Sequence, residues 1–185
     1  MKNVLTLLLI SLSFLSCSSD DDSAPNGEPS DPTLTHRYTY TVSGNGIDNV
    51  TFTKEIPFDE YGGGMAYFEP ENNYEMVSAF LENRDPGINV HFVYINDEIQ
   101  PLARKEITNQ DTSSLFVAFE YENENYVLES MSGTCQSQLL EIFPFSGSSG
   151  KSSFKVSFSG TFGIRGFPND PRQFQITGEI EVYNN

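Results

Sequence analysis

The chain has no tryptophan, only two histidines and only two cysteines in 185 residues, and 26 acidic side chains outnumber 10 basic ones. Each scarcity excludes something. Two histidines cannot supply a three-histidine metal site, and two cysteines cannot build a thiolate cage. A formal charge of −16 argues against a phosphate-backbone partner, which needs a Lys/Arg patch, so no nucleic acid is expected. Without tryptophan, any sugar-stacking surface lacks its strongest side chain. Phosphate loops are lacking as well. Gly150-Lys151-Ser152 ends like a P-loop, but the motif's first glycine would fall at Phe145 and no helical pattern follows. Gly44-Asn45-Gly46 has Asn49 where a dinucleotide fingerprint needs its third glycine. Both are read as turns, and no cofactor is expected.

The N-terminus is more informative. Lys2 gives a positive start, and Val4 to Leu15 is an apolar run broken only by Thr6, Ser11 and Ser13. Such a run is a secretory signal segment, too short for a bilayer that takes about 20 apolar residues. It ends in Phe14-Leu15-Ser16-Cys17, which resembles the lipobox of bacterial lipoproteins, with Phe14 where the usual pattern has leucine. Ser18-Ser19-Asp20-Asp21-Asp22 follows and is similar to the serine-plus-acidic export signal of Flavobacteriia-type surface lipoproteins of the Bacteroidota. The resemblance covers residues 1–22. It implies removal of residues 1–16, lipidation of Cys17, and an outer-membrane anchor with the protein facing the cell exterior. The lipid is then the only expected contact with the membrane. Residues 17–35 form the lipidated cysteine and a tether with five acids, no bases and three prolines. That composition cannot bury enough apolar surface to offset its ordering entropy. As a flexible coil, residues 18–35 span roughly 25 Å.

Residues 36–185 are read as one domain, all-β. Period-2 alternation recurs at Tyr38/Tyr40/Val42, Val50/Phe52, Ile88/Val90/Phe92/Tyr94, Leu115/Val117/Phe119/Tyr121, Phe154/Val156/Phe158 and Phe174/Ile176, with Ile180/Val182 after them. Turn residues such as Asn96-Asp97 separate the runs. The spacing predicts an antiparallel β-sandwich, or open barrel, of about ten strands. Asn73 to Asn83 fits a strand better than a short helix in this neighbourhood, although Tyr74, Val77 and Leu81 have helical spacing. Residues 146–153 (SGSSGKSS) are read as a flexible loop between strands. The segments Ser159–Phe162 and Ile176–Val182 are similar to the closing hairpin of small Bacteroidota lipoproteins of unknown function, which implies a β-sandwich with no assigned activity.

Candidate chemistry is sparse. Cys135 has no nearby base to activate it and is expected to be a buried apolar side chain; with Cys17 lipidated, no internal disulfide is expected. His36 opens the first strand and is expected to be exposed. His91 falls on the face opposite Ile88, Val90 and Phe92. Glu120, Glu122 and Glu124 alternate along one stretch and are the weak candidates for Ca²⁺, which takes carboxylate and amide oxygens. A hairpin turn at Glu122–Asn125 is the simpler account, and no metal is expected. Tyr61, Tyr67 and Tyr74, with Phe68, flank Gly62-Gly63-Gly64 and Asn72-Asn73. Rings, amides and acids in that proximity suit sugar hydroxyls, although core filling explains many aromatics in a sandwich.

These readings converge on a lipid-anchored cell-surface protein, a non-enzymatic binding or adhesion module for a glycan or a surface protein. Two alternatives stand beside it: an extracellular glycan hydrolase with paired carboxylates, and a structural accessory subunit of an outer-membrane assembly.

Overall fold

The computed structural model describes residues 35–61, 63–81, 86–105 and 111–184, so the expectations for the signal segment, Cys17 and Ser18–Asp22 lie outside the described residues. Eleven strands follow one another: β1 (Thr35–Gly44), β2 (Ile47–Pro57), β3 (Gly64–Glu69), β4 (Tyr74–Leu81), β5 (Gly87–Ile95), β6 (Glu98–Ile99), β7 (Leu102–Ala103), β8 (Ser114–Tyr121), β9 (Glu124–Ser146), β10 (Ser149–Ile164) and β11 (Gln173–Val182). Two single 3₁₀ turns, Phe58–Glu60 and Pro70–Asn72, interrupt them. The all-β reading is correct, and Tyr74–Leu81 within the ambiguous stretch is strand: Val77, Ala79 and Leu81 of β4 are buried while Phe80 is exposed.

Alternation decides which face is buried. In β1, Tyr38, Tyr40 and Val42 are fully buried and Arg37 is exposed. The tightest hairpins have the residues that left-handed backbone favours. Asn45 and Gly46 join β1 to β2, Asn96 and Asp97 join β5 to β6, and Glu122 and Asn123 join β8 to β9, all at positive φ. Two consecutive left-handed residues match the strands' twist.

Residues 146–153 depart from expectation. Instead of a flexible loop, β9 and β10 run to a tight turn at Gly147-Ser148, and Ser149 to Ser153 belong to β10. Gly150-Lys151-Ser152 is therefore strand, not turn. Packing is the reason. A Cβ on Gly150 would stand 2.7 Å from the Phe143 carbonyl oxygen. The Ser152 hydroxyl donates to the Met65 carbonyl at 3.2 Å, and the Asn184 N–H donates to Ser153 Oγ at 2.7 Å.

All eleven strands belong to one antiparallel sheet, ordered β2-β1-β11-β10-β3-β4-β5-β8-β9-β7, with β6 on β5 and a further pairing of β10 with β9. One edge of β10 carries β9 from end to end. Its other edge is shared, with Ser149–Ser152 facing β3 and Phe154–Gly163 facing β11. Strand β10 is thus a fork. On one side the circuit β3-β4-β5-β8-β9-β10 returns on itself, and on the other β11, β1 and β2 fold over as the second layer of a sandwich. Gly63 and Gly64 fit the crotch of the fork, since a Cβ there would lie 2.6 Å from the Tyr183 carbonyl oxygen and 2.6 Å from Ser152 Oγ, respectively.

Aromatic rings fill the space between the layers. Phe52 of β2 and Tyr126 of β9 flank Phe119, at 4.7 and 5.1 Å between centroids, and Tyr126 also meets Phe174. Such pairs contribute about 0.5–1.5 kcal/mol each beyond the area they bury. The Tyr40 hydroxyl crosses the core to donate to the Ala118 carbonyl at 3.0 Å, and the Tyr38 hydroxyl donates to the Pro86 carbonyl.

Candidate ligand-binding site

The β3–β4 connection builds a polar concavity. Pro70 sets the first turn of the 3₁₀ segment, and Asn73 takes left-handed backbone at φ 46° to turn the chain into β4. Asn73 is pinned from both sides. Its N–H donates to the Pro70 carbonyl, its carbonyl accepts the Asn96 N–H at 2.9 Å, and its side-chain amide donates to Asn96 Oδ1 at 3.2 Å. The loop is therefore braced against the β5–β6 turn.

This bracing brings Tyr67 and Tyr74 together, with ring centroids 6.4 Å apart and planes at 69°. Between and beside them stands Glu69. One of its oxygens accepts the Tyr67 hydroxyl at 2.6 Å, and the other accepts the Asn72 amide at 2.9 Å. Those two donors hold the Glu69 carboxyl below its ordinary value, and in return the carboxylate raises the Tyr67 phenol. The Tyr74 phenol is raised first by burial, then by the charges of Asp111 and Glu69. Glu69, Asn72, Tyr74, Ile95 and Asp111 line an open cleft of about 380 Å³. On the other side of Tyr74 a second hollow of about 220 Å³ includes Pro70, Asn73, Glu75 and Asp97. Burial, and next the charge of Asp97, raise the Glu75 carboxyl. The arrangement is an aromatic pair with an oriented carboxylate and an amide at its rim.

The sequence candidates divide accordingly. Tyr74 lines the cleft, and Tyr67 adjoins it through its bond to Glu69 and its contact with the Tyr74 ring; Tyr61 does neither. Its ring packs edge-on to His36 at 5.1 Å, and its hydroxyl accepts the Phe80 N–H at 3.2 Å. Of the adjoining glycines, Gly63 and Gly64 pack into the fork. Glu69 belongs to no sequence motif, although alternation in β3 puts it on the face of Tyr67. Asp111 reaches the cleft from a distant connection and left no sequence signal.

The carboxylates Glu120, Glu122 and Glu124 do not converge. Glu122 sits in the hairpin turn at φ 51°, Glu120 lies opposite Asn125, and Glu124 accepts the Tyr126 hydroxyl at 3.0 Å. Among the described residues, no group of three or more His, Cys, Asp or Glu side chains is placed to hold a metal. The thiol of Cys135 is partly buried against the core, and burial pushes it up to about 12.

His36 corrects an expectation: it is fully buried, not exposed. Its Nε2–H donates to the Tyr61 carbonyl and its Nδ1 accepts the Tyr183 N–H at 3.1 Å, so both ring nitrogens are used only by the neutral imidazole. Burial lowers its pKa. His91 lies outward on β5 as expected, opposite Ser78 and Ser114. Burial, and then the nearby Lys105 charge, lower it to about 4. Comparison with protein-family models, curated proteins and solved structures gives no match.

Proposed function

We propose that this chain is a lipid-anchored cell-surface protein of the Flavobacteriia type and a non-enzymatic binding module. Its cleft lined by Glu69, Asn72, Tyr74 and Asp111, beside Tyr67, takes a neutral or amino sugar. The observation that carries the ligand class is Glu69, a carboxylate oriented by the Tyr67 hydroxyl and the Asn72 amide beside two rings. Sugars are recognised by such pairings of ring faces with fixed hydrogen-bond acceptors. The carboxylates of Glu69 and Asp111 repel sulfated and uronic-acid glycans, so the preference is for uncharged or cationic sugars. Binding is favoured over turnover because a glycoside hydrolase pairs a raised carboxyl with a second one across a single cleft, whereas Glu69 is held low and the raised carboxyl, Glu75, lines the separate hollow on the other side of Tyr74.

The anchor rests on Phe14-Leu15-Ser16-Cys17 and the acidic run after it. Three measurements test the reading. On a glycan array, the mature chain binds neutral or amino sugars, and Glu69→Gln or Tyr74→Ala weakens that binding at least tenfold without changing the far-UV spectrum. An array with no neutral-sugar signal overturns the cleft assignment. Acyl labelling in cells marks the wild type and not Cys17→Ser, and protease applied to intact cells removes the domain; a protected domain overturns surface display.

A further inference from the structure

Strands β9, β10, β3 and β4 share an outward face that is unlike the rest of a chain with net charge −16. Register sets Phe143, Lys151, Met65 and Ser78 side by side in one row. The adjacent row brings Ser149, Tyr67 and Met76. Phe145 stands over this junction, with Lys151 Nζ 5.9 Å from its ring centroid. Phe80 lies on the same face of β4, two residues beyond Ser78. Neither row contains a carboxylate; the nearest flank them, Glu141 two residues before Phe143 on β9 and Glu69 two residues after Tyr67 on β3, where it accepts the Tyr67 hydroxyl. The side chains are solvent-facing: Phe145 is 59% exposed and Met65 and Phe80 are each 54% exposed. Five of the seven large apolar side chains most exposed among the described residues, Met65, Tyr67, Phe80, Phe143 and Phe145, gather here. A contiguous apolar face of this kind marks an interaction surface.

The chain's own path indicates what meets it. Thr35 begins β1 opposite Pro57, and the next residue, His36, is bonded to the Tyr61 carbonyl, while the Tyr61 hydroxyl holds the Phe80 N–H. The segment that leads back to Cys17 therefore joins the domain at the border of this face. We propose that the face lies against the lipid surface that carries the anchor, with Phe143, Phe145, Met65 and Phe80 at the headgroup–acyl boundary and Lys151 on lipid phosphate. The inference rests on the anchored reading of Cys17.

Charge supplies the orientation. A lone lysine among aromatic and thioether side chains is the composition of an interfacial contact, while the acids elsewhere repel an anionic surface. A tether of roughly 25 Å turns a weak contact into an intramolecular one, at an effective concentration on the order of millimolar. The Tyr67–Tyr74 cleft borders the same face, so the domain presents it beside the bilayer surface.

The absence of tryptophan allows a clean test. Phe145→Trp places a single fluorophore in the face, and Phe167→Trp places one in the β10–β11 loop, at a site 64% exposed. Each mature chain, in a Cys135→Ala background, is coupled through the Cys17 thiol to maleimide-headgroup lipid in phosphatidylethanolamine vesicles containing a minority of phosphatidylglycerol. Brominated acyl chains are expected to quench Phe145→Trp severalfold more than Phe167→Trp, with a blue-shifted emission that Lys151→Glu reduces. Equal quenching at the two sites overturns the proposal. A blue shift that appears without vesicles and grows with protein concentration also overturns it, because the face then pairs with a second copy. Chemical coupling replaces cellular lipidation, so a Cys17 that carries no acyl group in cells defeats the anchor reading separately from this result.

Discussion

His36 and His91 are each kept neutral by burial, and that has a defined effect on stability. A histidine whose folded pKa lies below its unfolded value of about 6.5 contributes stability that is complete above that value and is lost as the pH falls. For His91, lowered to about 4, the loss runs from about pH 6.5 down to pH 4. His36 acts in the same direction, and its protonation would in addition cost the hydrogen bond from the Tyr183 N–H. Glu75 opposes them, since a raised carboxyl gains in relative stability as acid is added. The lowered carboxyls of Glu69 and Asp170 matter only at lower pH, below their ordinary values. The urea midpoint is therefore expected to fall between pH 7 and pH 4.5, and to fall less in His91→Gln. Equal slopes for the two proteins would exclude His91 as a source. The burial of His36 was not legible in the sequence, because its partner Tyr183 lies 147 positions away. Tyr67 and Tyr74 were legible as a pair because one short connection separates them.

At the scale of elements, alternation was a sufficient guide wherever one face meets the core, as in β1, β5 and β8. In β10 it held for Phe154, Val156 and Phe158, which are buried, and failed for the turn end of the β9–β10 hairpin and for the glycine-rich crossing of the two strands. Gly133 lies opposite Gly160 there, and a Cβ on Gly133 would fall 2.3 Å from the Ser159 carbonyl oxygen. The positions around Gly150 are similarly filled by backbone. Serine and glycine in these strands reflect crowding and register shifts, whereas in sequence they look like a loop. The turns carry a prediction of their own. Asn123 joins β8 to β9 at φ 65°, a conformation glycine adopts without strain and the standard second position of this turn type. Asn123→Gly is expected to stabilise the protein by about 0.5 kcal/mol, raising the melting temperature by roughly 1–2 °C for a domain of this size. A lower melting temperature would show that the asparagine side chain contributes more than its backbone costs.

For the molecule as a whole, the fork at β10 is where the layers are joined, and Gly63 is the point of its crotch where close packing and left-handed backbone coincide. Its φ of 97° and the nearby Tyr183 carbonyl oxygen leave no room for a methyl group. Gly63→Ala is expected to cost about 2–4 kcal/mol, from backbone strain together with displacement of the C-terminal strand end. Gly147→Ala, at φ 56° with nothing within 4 Å, is expected to cost about 1 kcal/mol or less. Chemical denaturation of the two variants measures the contrast, and similar losses would mean that the crotch of the fork is pliable.

The fork also dictates an order of events. Strand β1, the first strand described, has β11 as its inner neighbour, and β10 receives partners from both ends of the chain. Joining His36 to Tyr183 closes a loop of 147 positions, with a length-dependent entropic cost on the order of 4 kcal/mol. Such pairing is intrinsically slow. A chain that emerges N-terminus first thus cannot join β1 and β2 to the rest of the sheet until its last strand, β11, has arrived. For a protein that crosses a membrane unfolded, as the proposed signal segment requires, this topology postpones completion of the fold until translocation is over.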